Sequence, residues 1–251
     1  MAKKYTIAET YELPSLGKIY DKEVNPIVKL RSMTAEDEMK RLSPSELAYK
    51  TLCDVIDDCL VEDIGISSYD LCLGDYEYLL HKLRVVTYGA DYKMVVPCPV
   101  CRGTTEVICN LDELQSNVYD EDFEALRTVT LPVSGKIIEL KFQTPRILDE
   151  IAKRKKDIIK KNPGMLTDPG YLLTICSYIK TIDGIVYRED QIESFVRKLP
   201  MKDANFLLNK ATELNERIGI DTNFACTCKH CGYEMMSTFR FGPEFFRPTT
   251  D

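Results

Sequence analysis

Apolar and polar residues alternate along the first thirty residues of the chain, as they do in half-buried strands. Tyr11 and Leu13 lead into a turn at residues 14–17 (PSLG). In the run that follows, Val28 and Leu30 share one face, and the residues between them lie on the other. This pattern predicts a small antiparallel sheet at the N-terminus.

The spacing of apolar residues then changes to the helical period. Thr34, followed directly by acidic residues, predicts the N-cap and first turn of a helix. Ser43 and Glu46 match a capping box with Pro44 at the first helical position, so a second helix is expected to begin there. A third helix is predicted over 74–86.

Two Cys-x-x-Cys motifs stand far apart in the chain, each between strand-like runs. The first is Cys98 with Cys101, and the second is Cys228 with Cys231. A turn that places two thiolates side by side, repeated on a second hairpin, supplies the ligands of a tetrahedral zinc ion. We predict a structural Zn²⁺ site at these four cysteines, which would tie the middle of the chain to its C-terminal part.

Two other cysteines and a different chemistry compete with this assignment. Cys226 and Cys109 could each replace one of the four motif cysteines, which we call the knuckle cysteines. The spacing Cys226-Thr227-Cys228 is too tight for the Cys-x-x-Cys geometry, so we expect Cys226 to be a strand residue. A redox Cys-x-x-Cys is the chemical alternative, but that motif normally opens a helix, which lowers the thiol pKa. A site closed by four thiolates leaves no position for water, so zinc-dependent hydrolysis is not expected.

Residues 113–220 read as a mostly helical stretch between the two motifs. The predicted elements are a hairpin over 129–142, a helix from Pro145 to 162–164, a helix over 171–179, a short hairpin over 181–186, and helices over 190–199 and 202–217. The predicted fold class is therefore α+β: a small N-terminal antiparallel sheet with helices, a helical insertion, and a four-cysteine zinc ribbon assembled from two distant hairpins.

This organisation divides the chain into four regions. They are an N-terminal sheet-plus-helix region at 1–90, zinc-ribbon halves at 91–112 and 221–242, the mostly helical insertion at 113–220, and an aromatic C-terminal tail at 243–251. In the tail we take Phe245 and Phe246 as candidate partner-binding residues. Packing against this chain's own core is the alternative, and aromatic residues fit either place.

Composition narrows the class of protein. The 251 residues are 44% hydrophobic, enough for a real core, and carry a net charge of −7. An acidic protein gains nothing from the counterion release that drives nucleic-acid binding. The N-terminus has no apolar signal-peptide core, and no stretch reaches the ~18–20 apolar residues of a membrane span. We therefore expect synthesis in a reducing cytoplasm, where paired cysteines bind metal more often than they form disulfides.

No catalytic constellation is found. Cys53, Cys59, Cys72 and Cys176 lie in apolar helical runs and are expected to be small buried hydrophobes. The chain has only 2 histidines, so the sequence offers few candidates for the histidine of a catalytic nucleophile–histidine pair. The basic run 153–156 falls in the later part of a predicted helix, where cations on a solvated face are stabilising. The prediction is that the protein is not an enzyme and has no catalytic residues.

The order of several segments resembles one protein family. They are 13–20 (LPSLGKIY), 28–38 (VKLRSMTAEDE), 73–84 (LGDYEYLLHKLR) and 87–92 (TYGADY), followed directly by Cys98-Pro99-Val100-Cys101. In this order they are similar to the baseplate hub assembly protein family of T-even-like contractile-tailed bacteriophages. Residues 11–112 and the second knuckle carry the resemblance, whereas 113–220 match only in general character.

The resemblance implies a non-enzymatic baseplate component or assembly factor at the hub or inner wedge. Its partners would be other baseplate and tail proteins, in multiple copies if the assembly is symmetric, with no nucleic acid and no membrane. Its place would be the virion tail, assembled in the host cytoplasm. The alternatives are a zinc-ribbon nucleic-acid-binding module and a Cys-x-x-Cys thiol redox protein.

Overall fold

The computed structural model describes residues 6–238, 241 and 243–246, of which 243 and 244 are described through their backbone alone. Residues 239, 240 and 242 of the predicted ribbon half 221–242, and residues 247–251 of the predicted tail, lie outside this part of the chain. The helices are α1 (Ala35–Arg41), α2 (Ala48–Cys59), α3 (Leu73–Tyr88), α4 (Pro145–Lys161), α5 (Pro169–Tyr178), α6 (Glu189–Val196) and α7 (Met201–Glu216). The strands are β1 (Ala8–Glu12), β2 (Ile27–Arg31), β3 (Asp91–Pro97), β4 (Thr104–Asn110), β5 (Ser116–Asn117), β6 (Thr128–Thr130), β7 (Ile137–Leu140), β8 (Ile179–Ile182), β9 (Gly219–Ile220), β10 (Asn223–Thr227) and β11 (Glu234–Thr238).

The N-terminal sheet is present as predicted. β1 and β2 pair antiparallel, with Tyr11 opposite Val28. Val28 and Leu30 are fully buried, and the residues beside them face outward. Both side chains belong to a first hydrophobic core that also contains the inner faces of α2 and α3. The α+β fold class is confirmed.

Two predicted helix starts have different outcomes. Thr34 caps α1, and its side chain and that of Asp37 form a reciprocal capping box. The second prediction is wrong, because α2 begins at Ala48 rather than at Pro44, and its N-cap residue Leu47 makes no side-chain cap hydrogen bond.

A carboxylate from the insertion replaces the missing cap of α2. Asp149 of α4 accepts hydrogen bonds from the backbone N–H groups of Tyr49 (3.3 Å) and Lys50 (2.9 Å). The Tyr69 hydroxyl donates to the same carboxylate at 3.1 Å, and Asp149 is only 3% exposed. An acceptor 99 residues away in sequence has thus taken the place of the local capping box.

The insertion builds a second hydrophobic core. β6, β7 and β8 form an antiparallel sheet in that order, and α5, α6 and α7 supply buried residues to the same core. The short hairpin predicted over 181–186 is reduced to one bridge between Ile182 and Ile185, because β8 pairs with β7 instead. The carboxylate of Asp203 at the start of α7 accepts from the backbone N–H of Val133 (2.8 Å) and so holds the β6–β7 turn.

The first turn of α3 is the point where the parts of the chain meet. A Cβ on Gly74 would lie 2.1 Å from the carbonyl oxygen of Ile218, so only glycine permits this approach. The next residue, Asp75, is fully buried and accepts hydrogen bonds from the backbone and hydroxyl of Ser15 and from the Tyr20 hydroxyl (2.6 Å). The turn after β1 and the chain leaving α7 are therefore both fixed to one end of α3.

None of the helices within the described residues combines the length and the apolar character that crossing a bilayer requires.

We expect Asp149→Ala to lower the free energy of unfolding by about 3 kcal/mol, because it removes the cap of α2 and leaves the buried Tyr69 hydroxyl without this acceptor. Urea denaturation measures the change. The matched control is Asp157→Ala, an exposed carboxylate on the same helix, for which we expect a change within about 0.5 kcal/mol. Equal effects of the two substitutions would contradict the capping role.

Gly74→Ala tests the crossing at α3. The added methyl group must push α3 and the Ile218 backbone apart, so we expect a loss of about 3 kcal/mol in the free energy of unfolding. Gly135→Ala is the control, because Gly135 has a φ of +66° and no atom within 4 Å of the added carbon, which predicts a cost of about 1 kcal/mol. If the Gly74 variant were as stable as the Gly135 variant, α3 and the Ile218 backbone could move apart at little cost, which would contradict the expectation.

Candidate metal centre

Two hairpins of the same local geometry carry the four knuckle cysteines. β3 and β4 pair antiparallel up to Pro97 opposite Thr104, and β10 and β11 pair up to Thr227 opposite Glu234. In each, the first cysteine follows directly after the strand, and the second lies in the turn. The alternation of the flanking runs predicted both hairpins.

The backbone hydrogen bonds of the two turns repeat each other. In the first, Cys98 N–H donates to the Gly103 carbonyl (2.8 Å), and Arg102 N–H donates to the Cys98 carbonyl (3.0 Å). In the second, Cys228 N–H donates to the Tyr233 carbonyl (2.9 Å), and Gly232 N–H donates to the Cys228 carbonyl (3.0 Å).

The residue after the second cysteine of each motif is left-handed. Arg102 has a φ of +59° and Gly232 a φ of +71°. A non-glycine residue in this region costs about 1 kcal/mol, so the first turn keeps the geometry of the second at an energetic cost. The repetition shows that both turns shape the chain to point two sulfur atoms to one side.

The four sulfur atoms converge. The Sγ atoms of Cys98, Cys101, Cys228 and Cys231 all lie within 4.8 Å of one another. Across the two hairpins, Cys98 Sγ is 3.7 Å from Cys231 Sγ, and Cys101 Sγ is 3.6 Å from Cys228 Sγ. A tetrahedron with metal–sulfur bonds of about 2.3 Å has edges of about 3.8 Å, so these spacings suit zinc, whereas a disulfide would need about 2.05 Å.

A small core of its own joins the hairpins beneath the sulfur atoms. Val96, Cys98, Cys226, Cys228 and Met235 pack together there, with partly buried residues around them. Cys98 and Cys228 are buried, and Cys101 and Cys231 are exposed. The cluster therefore sits at the surface end of a docked hairpin pair, with one cysteine of each pair facing solvent.

Polar contacts tie each turn to the opposite hairpin. Thr105 of β4 is 2% exposed, and its hydroxyl oxygen accepts from the Lys229 backbone N–H at 3.1 Å and lies 3.7 Å from Cys228 Sγ. His230 Nε2 lies 3.0 Å from the Thr104 carbonyl oxygen. These contacts could not be predicted from the sequence, because no local pattern indicates which distant segment Thr104 and Thr105 will contact.

Backbone groups also act on one of the thiols. The N–H groups of Cys231 and His230 point at Cys228 Sγ and lower the pKa of that thiol to about 6. Hydrogen bonds that favour the thiolate have this effect. Since the thiolate is the form that binds metal, Cys228 is prepared for a ligand role. In the same turn, desolvation and the neighbouring thiols raise the pKa of Cys231, so the two cysteines of the turn differ.

The remaining cysteines lie outside the sulfur cluster. Cys226 pairs with Met235 in the β10–β11 ladder and is buried in the ribbon core, and Cys109 pairs with Tyr92 near the far end of the β3–β4 hairpin. Neither belongs to the four-sulfur group, so the replacement of a knuckle cysteine is not supported. None of the 10 cysteines, all of which the structure describes, forms a disulfide.

Phe245 and Phe246 are not exposed. They belong to a short 3-10 helix, Pro243–Phe246, and are 0% and 3% exposed within the N-terminal core. Phe245 contacts the Tyr92 ring edge-on at 5.5 Å, and the Arg41 guanidinium lies over the Phe246 ring. The interpretation of these residues as partner-binding anchors is corrected: they fix the end of the chain to its own core, which was the other alternative.

Comparison with known proteins gives a match to a protein family. The sequence model of the family described as "T4 bacteriophage base plate protein" matches residues 4–247. No curated protein and no solved structure shows significant similarity to the chain. The family match spans the N-terminal sheet, both hairpins of the sulfur cluster and the insertion between them. The chain therefore belongs to the T4 bacteriophage base plate protein family.

Proposed function

We propose that the protein is a non-enzymatic structural component or assembly factor of the phage tail baseplate, at its hub or inner wedge. It works through contacts with other baseplate and tail proteins, in the virion tail after assembly in the host cytoplasm. The observation that carries the proposal is the family match over residues 4–247. The sequence resemblance in the segments 13–20 and 73–84 points the same way.

A structural zinc ion at Cys98, Cys101, Cys228 and Cys231 is the second part of the proposal. Cross-hairpin sulfur spacings of 3.6 and 3.7 Å support it, as does the convergence of all four Sγ atoms within 4.8 Å of one another. Zinc bound by four thiolates has no open coordination position, so its contribution would be to the stability of the hairpin pair. Binding free energies of roughly 10–16 kcal/mol for structural zinc exceed the loop-closure cost of a long segment.

Charge argues against the nucleic-acid-binding alternative. The chain carries a net charge of −7. Its basic run on α4 is largely neutralised, since Arg154 pairs with Glu189 and Glu193, and the two lysines after it pair with Asp168 and Glu46. Because these positive charges are already paired with carboxylates, this surface offers few free cations to bind the phosphates of a nucleic acid.

The geometry of the turns argues against the redox alternative. Both Cys-x-x-Cys motifs lie in hairpin turns between strands, away from the helix N-terminus that activates a redox thiol. The short sulfur spacings we measure run between the two hairpins. Sulfur atoms of different hairpins that lie this close together favour one shared metal ion over two separate redox-active dithiols.

We also propose that different regions of the chain have different roles. The N-terminal region (1–90), the ribbon halves (91–112 and 221–242) and the insertion (113–220) each have a hydrophobic cluster centred on their own residues. The C-terminal segment shares the cluster of the first region. In this arrangement zinc would hold the ribbon as a rigid docking edge, and the insertion would offer a separate surface to neighbouring proteins.

We expect purified protein to contain one zinc ion per chain and Cys98→Ser with Cys101→Ser to contain none, because two thiolates do not complete a tetrahedral site. Elemental analysis by inductively coupled plasma mass spectrometry measures the metal. The Cys176→Ser variant, which changes a cysteine of α5 outside the cluster, should keep its zinc. Zinc in the double variant, or none in the wild type, would contradict the metal site.

The baseplate role is tested by quantitative mass spectrometry of purified phage particles beside lysates of infected cells. A fixed small copy number per tail would identify a structural part of the baseplate. Presence in baseplate intermediates of the lysate but not in particles would identify an assembly factor. Absence from both particles and lysate intermediates would overturn the proposed baseplate role, whatever the metal content. We expect the zinc-free double variant to be lost from both fractions.

A further inference from the structure

A cleft of about 690 Å³ opens between α2 and α3. We name it the α2–α3 cleft and define it by Tyr49, Leu52, Tyr76, Glu77, Leu80 and Phe246, which line it. Aromatic and aliphatic side chains form part of its wall, and serine, threonine and charged side chains form the rest. The Tyr49 and Tyr76 rings meet edge-on at 6.0 Å. Among the described residues that line the cleft, Glu77 is the one with an acidic side chain.

Glu77 differs from the other buried carboxylates of the protein. Asp75 and Asp149 each accept several hydrogen bonds. Glu77 is partly buried on the same helix as Asp75, and within the described part of the chain no hydrogen bond or ion pair satisfies it. Desolvation alone raises the pKa of Glu77 to about 7. A desolvated carboxylate without a partner lowers the stability of the free protein, so we expect it to gain a compensating contact in a complex with another molecule.

Two cations near the cleft, both among the described residues, are committed to other groups. Arg41, which also lines the cleft, makes two hydrogen bonds of 2.7 Å to Glu38 and stacks over the Phe246 ring. Lys50 on α2 pairs with Asp54 and lies over the Tyr69 ring. Neither positive charge is directed to Glu77.

We propose that the α2–α3 cleft receives a basic side chain, an arginine or lysine, presented by a partner protein of the baseplate, with the Glu77 carboxylate as its acceptor. The inference rests on the proposed function for the identity of the partner. Charge complementarity favours this occupant. The aliphatic stem of a lysine or arginine can pack on the aromatic rings of the cleft, while its positively charged head binds the unpaired Glu77 carboxylate.

The free energy of unfolding separates this role from a structural one. Glu77→Gln removes a desolvated charge and keeps the shape of the side chain, so the free variant should melt at the same temperature as the wild type or higher at pH 8. A residue retained for packing or for an internal ion pair would instead lower the melting temperature when substituted. Loss of binding without loss of stability is the signature of a binding residue.

The first test is binding of a defined probe to the full-length protein. The probe is the peptide acetyl-Gly-Ala-Arg-Ala-Gly-amide, with Gln in place of Arg as its neutral match, titrated while backbone amide NMR shifts are recorded. We expect the Arg peptide to shift amides of α2 and α3 around the cleft and the Gln peptide to leave them unchanged. Glu77→Gln should weaken binding at least about 10-fold at pH 8, a difference of about 1.4 kcal/mol. Glu36→Gln, which removes an exposed charge from α1, should bind like the wild type.

Binding should also depend on pH. The carboxylate form of Glu77 is needed, so affinity should fall about 10-fold from pH 8 to pH 6, because its pKa is about 7. Within the part of the chain that the structure describes, the other titratable groups lining the cleft are Arg41, Tyr49 and Tyr76. The pKa of Arg41 is raised by its bond to Glu38, and burial raises the pKa of both tyrosines, so none of them changes charge in this range.

Three outcomes would overturn the proposal. They are equal binding of the Arg and Gln peptides, unchanged binding by Glu77→Gln, and binding that appears only after Arg240→Gln with Arg247→Gln. The last result would mean that a basic residue of this chain's own C-terminal segment, which lies outside the described residues, fills the cleft.

The second test distinguishes this inference from the proposed function. Wild type, Glu36→Gln and Glu77→Gln are compared by mass spectrometry of phage particles and of baseplate intermediates. Wild-type incorporation with loss of Glu77→Gln alone supports both statements. Equal incorporation of all three would overturn the cleft assignment and leave the baseplate role intact, whereas absence of the wild type from both fractions would overturn the baseplate role itself.

Discussion

The close contact between the first turn of α3 and the chain leaving α7 is the constraint on which the rest of the structure depends. Gly74 allows the backbone of Ile218 to pass over the helix, and this passage leads directly into β9 and the second cysteine hairpin. On the other side of the same turn, Asp75 holds Ser15 and Tyr20 by hydrogen bonds. The N-terminal sheet, the insertion and the ribbon therefore have one common point of attachment.

The sulfur cluster follows from that attachment. Each hairpin shapes its own turn through local hydrogen bonds, but two sulfur atoms cannot complete a tetrahedral site. The second hairpin reaches the first only because the chain returns across α3 after the whole insertion. Thr105 and His230 then fix how the turns face each other. An ion at this site would lock an arrangement that packing has already made, and the return of the chain does not depend on the ion alone.

Buried carboxylates show how the protein separates structural from binding groups. Asp75, Asp149 and Asp203 each accept backbone or hydroxyl hydrogen bonds from another part of the chain, which offset part of the cost of burial and fix distant segments together. Desolvation still raises the pKa of Asp75. Glu77 has the same kind of partly apolar environment without any such donor in the described residues. The contrast supports a use for Glu77 outside the free chain, in keeping with a protein that belongs to a family of baseplate components.

The sequence by itself determined the features that depend on near neighbours: the alternation that buries Val28 and Leu30, the helical period of α3, and the two-cysteine turns, since strand, helix and turn preferences act over a few residues. Tertiary structure decided where α2 begins, because Asp149 and not Ser43 accepts hydrogen bonds from its first turn, and it placed Phe245 and Phe246 inside the core. It also brought the two hairpins together. Such contacts join residues far apart in the chain, and local preferences carry no information about which distant group will arrive.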